Sequence, residues 1–216
     1  MEYNYEDAYK DYPIENGIAV FDDGSMLMTR SIMDPLPAFM KKADMIFTDS
    51  PWNQGNLRSF YTKAEIAPDY GYDFLRFGDR LFDCIWEIDP RVCYLEIGKE
   101  NLDVWLFQMK KLFKYVTFFN STYYHDPQKL CYIVRGARKA YRGRKYDGMD
   151  EEDIISAVCK EEEYEIAGDL CTGRGLVPCA AYSAGKKFVG TELNHKRLSV
   201  CLKRLSGLGA SYRVET

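Results

Sequence analysis

Histidine is scarce in this chain: His125 and His195 are the two present among 216 residues. A histidine-rich metal site and a histidine-based acid–base mechanism are therefore disfavoured. Cysteine is not scarce, but its pairing motifs are missing. Cys84, Cys93, Cys131, Cys159, Cys171, Cys179 and Cys201 form no CxxC pair and are odd in number. Most lie inside apolar runs, so reduced, buried thiols are expected rather than a disulfide framework or a zinc site. Long apolar runs are lacking too, because charge interrupts them every few residues, and no membrane-spanning segment is expected. The N-terminus is acidic and aromatic, without the basic start and apolar middle of a signal peptide. A positive surplus is absent: 29 Lys and Arg face 33 Asp and Glu, a net charge of −4. That argues against coating nucleic acid by bulk electrostatics. Neither an internal repeat nor a low-complexity segment interrupts the chain.

What is present suffices for one core. With 46% hydrophobic residues in 216, a single domain over 1–216 is expected, its first part a polar arm at 1–16. Apolar runs of strand length occur at 17–21, 43–48, 91–97, 115–119, 130–134, 187–191 and just before Asp169. Helical spacing occurs at 73–88 (Phe74, Phe77, Leu81, Phe82, Ile85), 102–113, near 150–163, from Gly175 to Ser183, and at 194–206. Residues 53–72 are polar, with Gly and Pro, and read as a loop. Alternating strands and helices predict an α/β fold, a mostly parallel sheet with helices on both faces. The two runs at 115–119 and 130–134, with no helix between them, predict an antiparallel hairpin at one edge, turning near Asp126-Pro127.

The densest local signal is Ala167-Gly-Asp169-Leu-Cys171-Thr-Gly173-Arg-Gly175, followed seventeen residues later by Glu192 at the end of the next strand. Glycines let a backbone approach a ligand closely. An acid at the tip of the following strand can accept both hydroxyls of a ribose. The spacing suits a nucleoside-containing cofactor. A dinucleotide fingerprint requires a third glycine, and Pro178 stands in its place, which disfavours a nicotinamide.

A second signal comes earlier. Asp49-Ser50-Pro51-Trp52 follows an apolar strand and is expected at the carboxyl edge of the sheet. The lone pair of a base's exocyclic amine is delocalised into its ring, so the nitrogen is a poor nucleophile. A carboxylate and a nearby carbonyl can accept both N–H groups and favour a pyramidal nitrogen. Proline fixes φ and aims the carbonyl before it. An aromatic ring stacks on a base withdrawn from its helix.

Together these segments resemble the β-class DNA amino-methyltransferases, which methylate adenine N6 or cytosine N4. In that family the catalytic motif precedes the cofactor motif, as Asp49 precedes Asp169. The family's Asp/Ser-Pro-Pro-Tyr/Phe/Trp is similar to Asp49-Ser50-Pro51-Trp52. Its Asp-Pro-Phe-x-Gly-x-Gly-Thr-Thr is similar to Asp169-Leu-Cys171-Thr172-Gly173-Arg-Gly175-Leu-Val, with Cys171 in place of Phe and the Thr-Thr lost. Its Gly-x-Glu-x-Asn/Asp matches Gly190-Thr-Glu192-Leu-Asn194. The resemblance, over residues 17–206, implies a Rossmann-like methyltransferase fold. It implies S-adenosyl-L-methionine as cofactor, held by Asp169, Cys171, Thr172, Gly173, Gly175, Glu192 and Asn194. Asp22 or Asp23, after the first strand, would contact the cofactor adenine. Asp49 at the first motif position favours adenine N6 over cytosine N4. Trp52 keeps RNA open as a substrate beside DNA, and the serine and cysteine departures keep a catalytically silent relative open.

Little of the chain is left to read a sequence. The candidates are Asn53 in the 53–72 stretch, and Arg135, Arg138, Lys139, Arg142, Arg144 and Lys145 in a basic stretch with Tyr141 and Tyr146, part of a substrate-facing loop at 135–150. Such a composition suits phosphate contacts with stacking. So small a recognition element predicts a short site or help from a homodimer or partner subunit. A cytoplasmic place in a bacterial or phage-infected cell is the corresponding expectation.

Overall fold

In the computed structural model, residues 4–67, 73–140 and 146–215 are described. The chain runs α1 (Tyr5–Asp11), β1 (Ile18–Phe21), β2 (Met26–Thr29), a 3-10 helix (Ala38–Lys42), β3 (Met45–Asp49), α2 (Gln54–Lys63), α3 (Phe74–Ile88), β4 (Val92–Ile97), α4 (Leu102–Leu112), β5 (Tyr115–Tyr123), β6 (Asp126–Ala137), β7 (Met149–Asp150), α5 (Glu151–Glu161), β8 (Ile166–Asp169), α6 (Leu176–Ser183), β9 (Lys187–Glu192), α7 (His195–Gly207) and β10 (Tyr212–Glu215). All ten strands join one sheet, in the order β10-β1-β2-β9-β8-β3-β4-β6-β5-β7. Its centre, β2-β9-β8-β3-β4, is parallel; β1 and β10 on one side and the β5–β6 hairpin on the other pair antiparallel. This is the mostly parallel sheet with an antiparallel hairpin that the alternating pattern predicts, in the Rossmann-like arrangement that the family resemblance implies.

Side chains alternate across each strand, and each face of the sheet has its own core. Met45, Phe47, Val92, Tyr94, Ala167 and Phe188 pack with α5, α6 and α7. Ile46, Cys93, Leu95, Ile97 and Val189 pack with α2, α3 and α4. In α3 the apolar spacing is realised as Phe77, Leu81, Phe82, Ile85 and Ile88 facing inward, behind an Asp73 cap that accepts from the N–H groups of Leu75 and Arg76. All seven cysteines are free, and six are buried. Among the described residues no helix is long and apolar enough to cross a membrane.

Four local features differ from expectation. Residues 54–63 form a helix rather than a loop. The Asn53 side chain accepts from the N–H of Asn56 and starts the helix, and its buried contacts come from Leu57 and Tyr61, one turn apart, with polar residues between them. Part of the polar arm is the helix α1, capped by Asn4 and lying on α7, where Ala8 is buried and the rings of Tyr9 and His195 are 4.8 Å apart. Two unanticipated strands flank β1: β2 joins the parallel centre beside β9, and β10 forms the edge. The hairpin turns at Tyr124-His125, both at positive φ (57° and 53°), one step before Asp126. Two-residue turns of this kind usually use Asn or Gly, which hid the position.

The chain leaves β8 for β9 on one side and β3 for β4 on the other. The sheet order therefore diverges between β8 and β3, and an open α/β sheet leaves a crevice at the carboxyl ends of such a pair.

Candidate active site

That crevice is a cavity of about 720 Å³. Asp169 ends β8 and Asp49 ends β3, on neighbouring strands. Glu192 ends β9 and Glu96 lies near the end of β4, with Asp49 and Glu96 as register partners. All four carboxylates line the cavity.

The glycine turn sits above β8. Gly173 has φ +55° and its N–H donates to Glu192 Oε2 at 2.7 Å; the N–H of Asn194 donates to Glu192 Oε1 at 2.9 Å. Each Glu192 oxygen keeps a lone pair for a further donor. Asp169 Oδ1 accepts from Thr48 Oγ1 at 2.9 Å and from the N–H of Cys171 at 3.1 Å. Burial raises the Asp169 carboxyl to about 7, although both hydrogen bonds oppose the shift. Gly175, φ +80°, has a different task. A Cβ there would press into the Cys201 side chain of α7, so this glycine lets α6 and α7 close on each other.

At the tip of β3, Asp49 is open to the cavity but has protein around it. Loss of bulk water raises its carboxyl to about 6, against a hydrogen bond from Trp52 and the charges of Arg197 and Arg174. Trp52 Nε1 donates to Asp49 Oδ1 at 3.0 Å. Its ring lies against Gly98, where a Cβ would come within 2.7 Å of it, and edge-on to Tyr123 at 5.0 Å between centroids. Pro51 lines the cavity; Trp52 does not, and Ser50 is buried with Oγ unpartnered. The aromatic rings that do line the cavity beside Asp49 include Tyr123 and Tyr124, 3.9 Å apart at the hairpin turn, and Phe60 on α2.

Of the residues expected to hold a cofactor, Asp169, Cys171, Thr172, Gly173, Glu192 and Asn194 converge on the cavity. Asn194 also caps α7, accepting from the N–H groups of Lys196 and Arg197. Asp22 and Asp23 do not reach it. They lie in the turn before β2, which runs parallel to β9 with Thr29 beside Glu192, so the turn sits at the opposite edge of the sheet. Asp23 accepts from the N–H of Ser25 there. The residues following β2, Ser31 and Ile32, line the cavity instead.

The basic stretch is also at the far edge. Arg135 is buried in mid-strand on β6, donating to Tyr94 Oη at 2.8 Å and to Glu162 Oε1 at 2.9 Å. Beyond it, the Arg138 N–H donates to the carbonyl of Arg91, before β4, and its guanidinium pairs with Asp89. Lys139 is exposed on the same edge. Arg142, Arg144 and Lys145 lie outside the described residues. Asn53 serves as the α2 cap and reaches Glu100 at 3.4 Å.

The cavity has cations that composition did not single out. Arg174, inside the glycine turn, reaches Tyr124 Oη at 3.2 Å. Arg197, on the first turn of α7, lies over the Phe60 ring at 4.8 Å with Nε buried and unpartnered. Both were visible as neighbours of the glycine and acid motifs, but only the fold turns them inward.

No protein-family model and no curated protein matches the sequence. Solved structures do match. TTHA0409 of Thermus thermophilus, named as a DNA modification methylase, aligns with a TM-score of 0.57 and 12% identity over 86% of this chain and 96% of that one. M1.HpyAVI aligns at 0.55 and 12% over 83% and 98%. PvuII DNA methyltransferase, cytosine-N4-specific, aligns at 0.56 and 8% over 82% and 85%. The first two have also been solved with S-adenosyl-L-methionine. At these identities the likeness is one of fold, and the chain has the Rossmann-like architecture of the DNA methyltransferases it resembles.

Proposed function

We propose that this chain is an S-adenosyl-L-methionine-dependent methyltransferase acting on the exocyclic amine of a base in DNA, adenine N6 in the first instance. The observation that carries the reading is the meeting of two motifs distant in sequence. Asp49 and the Asp169-to-Gly173 turn with Glu192 open into one cavity at the switch point of the sheet.

The donor set fits the cofactor. Glu192 has acceptor capacity for ribose hydroxyls. Arg197, with an orphaned Nε, is the cation suited to a carboxylate, and Asp169 is the acid suited to an ammonium. When bound, the cofactor supplies an electrophilic methyl group. Asp49, tied to Trp52, accepts an N–H of the target amine and then holds its proton. Tyr123 and Tyr124 offer ring surface for a base taken out of the duplex. Trp52 acts from behind Asp49 rather than as the stacking platform.

Cytosine N4 is the second reading, favoured by the named specificity of one similar structure. Tritiated methyl transfer to unmethylated genomic DNA and to RNA, followed by nucleoside mass spectrometry, tests polymer and base together. N6-methyladenine in DNA is expected. Label in neither polymer from a folded protein that binds the cofactor would overturn the reading in favour of a silent relative.

A further inference from the structure

Glu96 has no part in the motifs that led to the cavity, yet it is a buried carboxyl in the cavity wall. It is 1% exposed on β4, beside Asp49 in register, and it lines the cavity. Its Oε1 has no hydrogen-bond partner. A buried polar atom left unpaired costs about 1–3 kcal/mol, so one kept at a ligand cavity points to a partner that arrives with the ligand.

Charge decides which form of the carboxyl is present. Burial, reinforced by Asp49 on β3, Glu151 and Asp150 at the start of α5, and Asp169 on β8, holds Glu96 well above the usual carboxylate range. Tyr123 of β5 faces the same group, and burial first, then the neighbouring tyrosine and acids, keeps it neutral. A neutral carboxyl carries one O–H donor and keeps acceptor capacity, whereas ionised Asp49 only accepts.

We propose that Glu96 reads the target base, donating its O–H to the unprotonated ring nitrogen beside the exocyclic amine while Asp49 accepts from the amine itself. The inference rests on the methyltransferase reading and narrows its substrate. Adenine presents N1 as an acceptor beside its N6 amine, and cytosine presents N3 beside N4. Guanine presents an N1–H donor beside N2, leaving two donors opposed. The pair therefore selects adenine or cytosine and rejects guanine.

The test compares wild type with Glu96→Leu and Glu96→Gln in steady-state methyl transfer to genomic DNA from pH 6 to 9, with cofactor affinity measured by calorimetry. Glu96→Leu is expected to lower kcat/KM for DNA about ten- to hundredfold, the loss of one or two hydrogen bonds, with cofactor affinity unchanged. Glu96→Gln, a permanent donor and acceptor, is expected to restore kcat/KM to within about fivefold and to flatten any alkaline fall seen in wild type. Wild-type kinetics in Glu96→Leu, or a Glu96→Gln variant as impaired as Glu96→Leu, would overturn the assignment. So would cofactor affinity falling in parallel with activity, which is the mark of a merely structural role. If Glu96→Leu does not fold, the pH profile of Glu96→Gln still decides. Absence of methyl transfer by the wild type itself would instead overturn the underlying reading.

Discussion

Asp49 faces the open cavity, and the protein walls that displace bulk water around it raise its carboxyl to about 6, which gives the pH dependence of methyl transfer a sign. Only the ionised form accepts from the amine without donating back. Activity is therefore expected to fall as pH drops through about 6 and to level off above it, and a pH–rate profile of kcat/KM would show the limb. Asp49→Ala is expected to remove methyl transfer below detection while changing cofactor affinity by less than about threefold, since the cofactor-side groups sit on β8, β9 and α7. Stability has the opposite sign. Asp169 and Glu151, each raised to about 7 chiefly by burial, keep their protons in the folded chain at pH values where the unfolded chain, near 4, has lost them. The folded state binds more protons between pH 4 and 7, so these groups make stability fall as pH rises through that window. The ligand-free protein is expected to show a higher Tm at pH 6 than at pH 8, with a smaller difference in Asp169→Asn. Gly175→Ala should cost about 2 kcal/mol or more in chemical denaturation, because it combines a positive φ with a clash against Cys201.

Among the elements, the two halves of the site differ in how openly the sequence displays them. The β8–turn–α6–β9 unit is local: strand, glycines, helix and Glu192 follow one another, so spacing alone exposes it. The β5–β6 hairpin is not local in the same sense. Its turn residues, Tyr124 and His125, occupy left-handed backbone without glycine. They are held there because their N–H groups donate to Glu151 and Asp150 of the α5 start. A tertiary contact sets that turn, and no propensity scale contains it. Arg135 makes the same point. Within a run of six basic residues, nothing local marks the one that goes inside, and its burial is fixed by Tyr94 and Glu162 from other elements. Glu162→Ala is expected to destabilise the fold by about 3 kcal/mol, leaving Arg135 buried without its carboxylate. Guanidinium denaturation would measure this loss, and kcat/KM of the folded fraction should stay unchanged.

For the whole molecule, the sheet has two edges with different contents. The carboxyl edge holds the cavity, its acids, and Arg174 and Arg197; the opposite edge holds Arg138, Lys139 and the Asp22-Asp23 turn. If DNA meets the carboxyl edge, Arg174→Ala should lower the slope of log K against log salt by about one, while Lys139→Ala should leave it unchanged. Fluorescence anisotropy with a labelled duplex at several salt concentrations reads both. The reverse pattern would place the nucleic acid on the far edge.

The sequence by itself determined the α/β alternation, the helix α3 from its apolar spacing, and the two motifs that meet in the cavity, because each is carried by residues close together in the chain. The tertiary structure alone decided the rest. It put Asp22 and Asp23 on the wrong edge for the cavity through the direction of β2, turned Trp52 behind Asp49, and set Glu96 beside it. Direction, facing and neighbourhood depend on which strands pair, and strand pairing is settled by contacts between residues far apart in sequence.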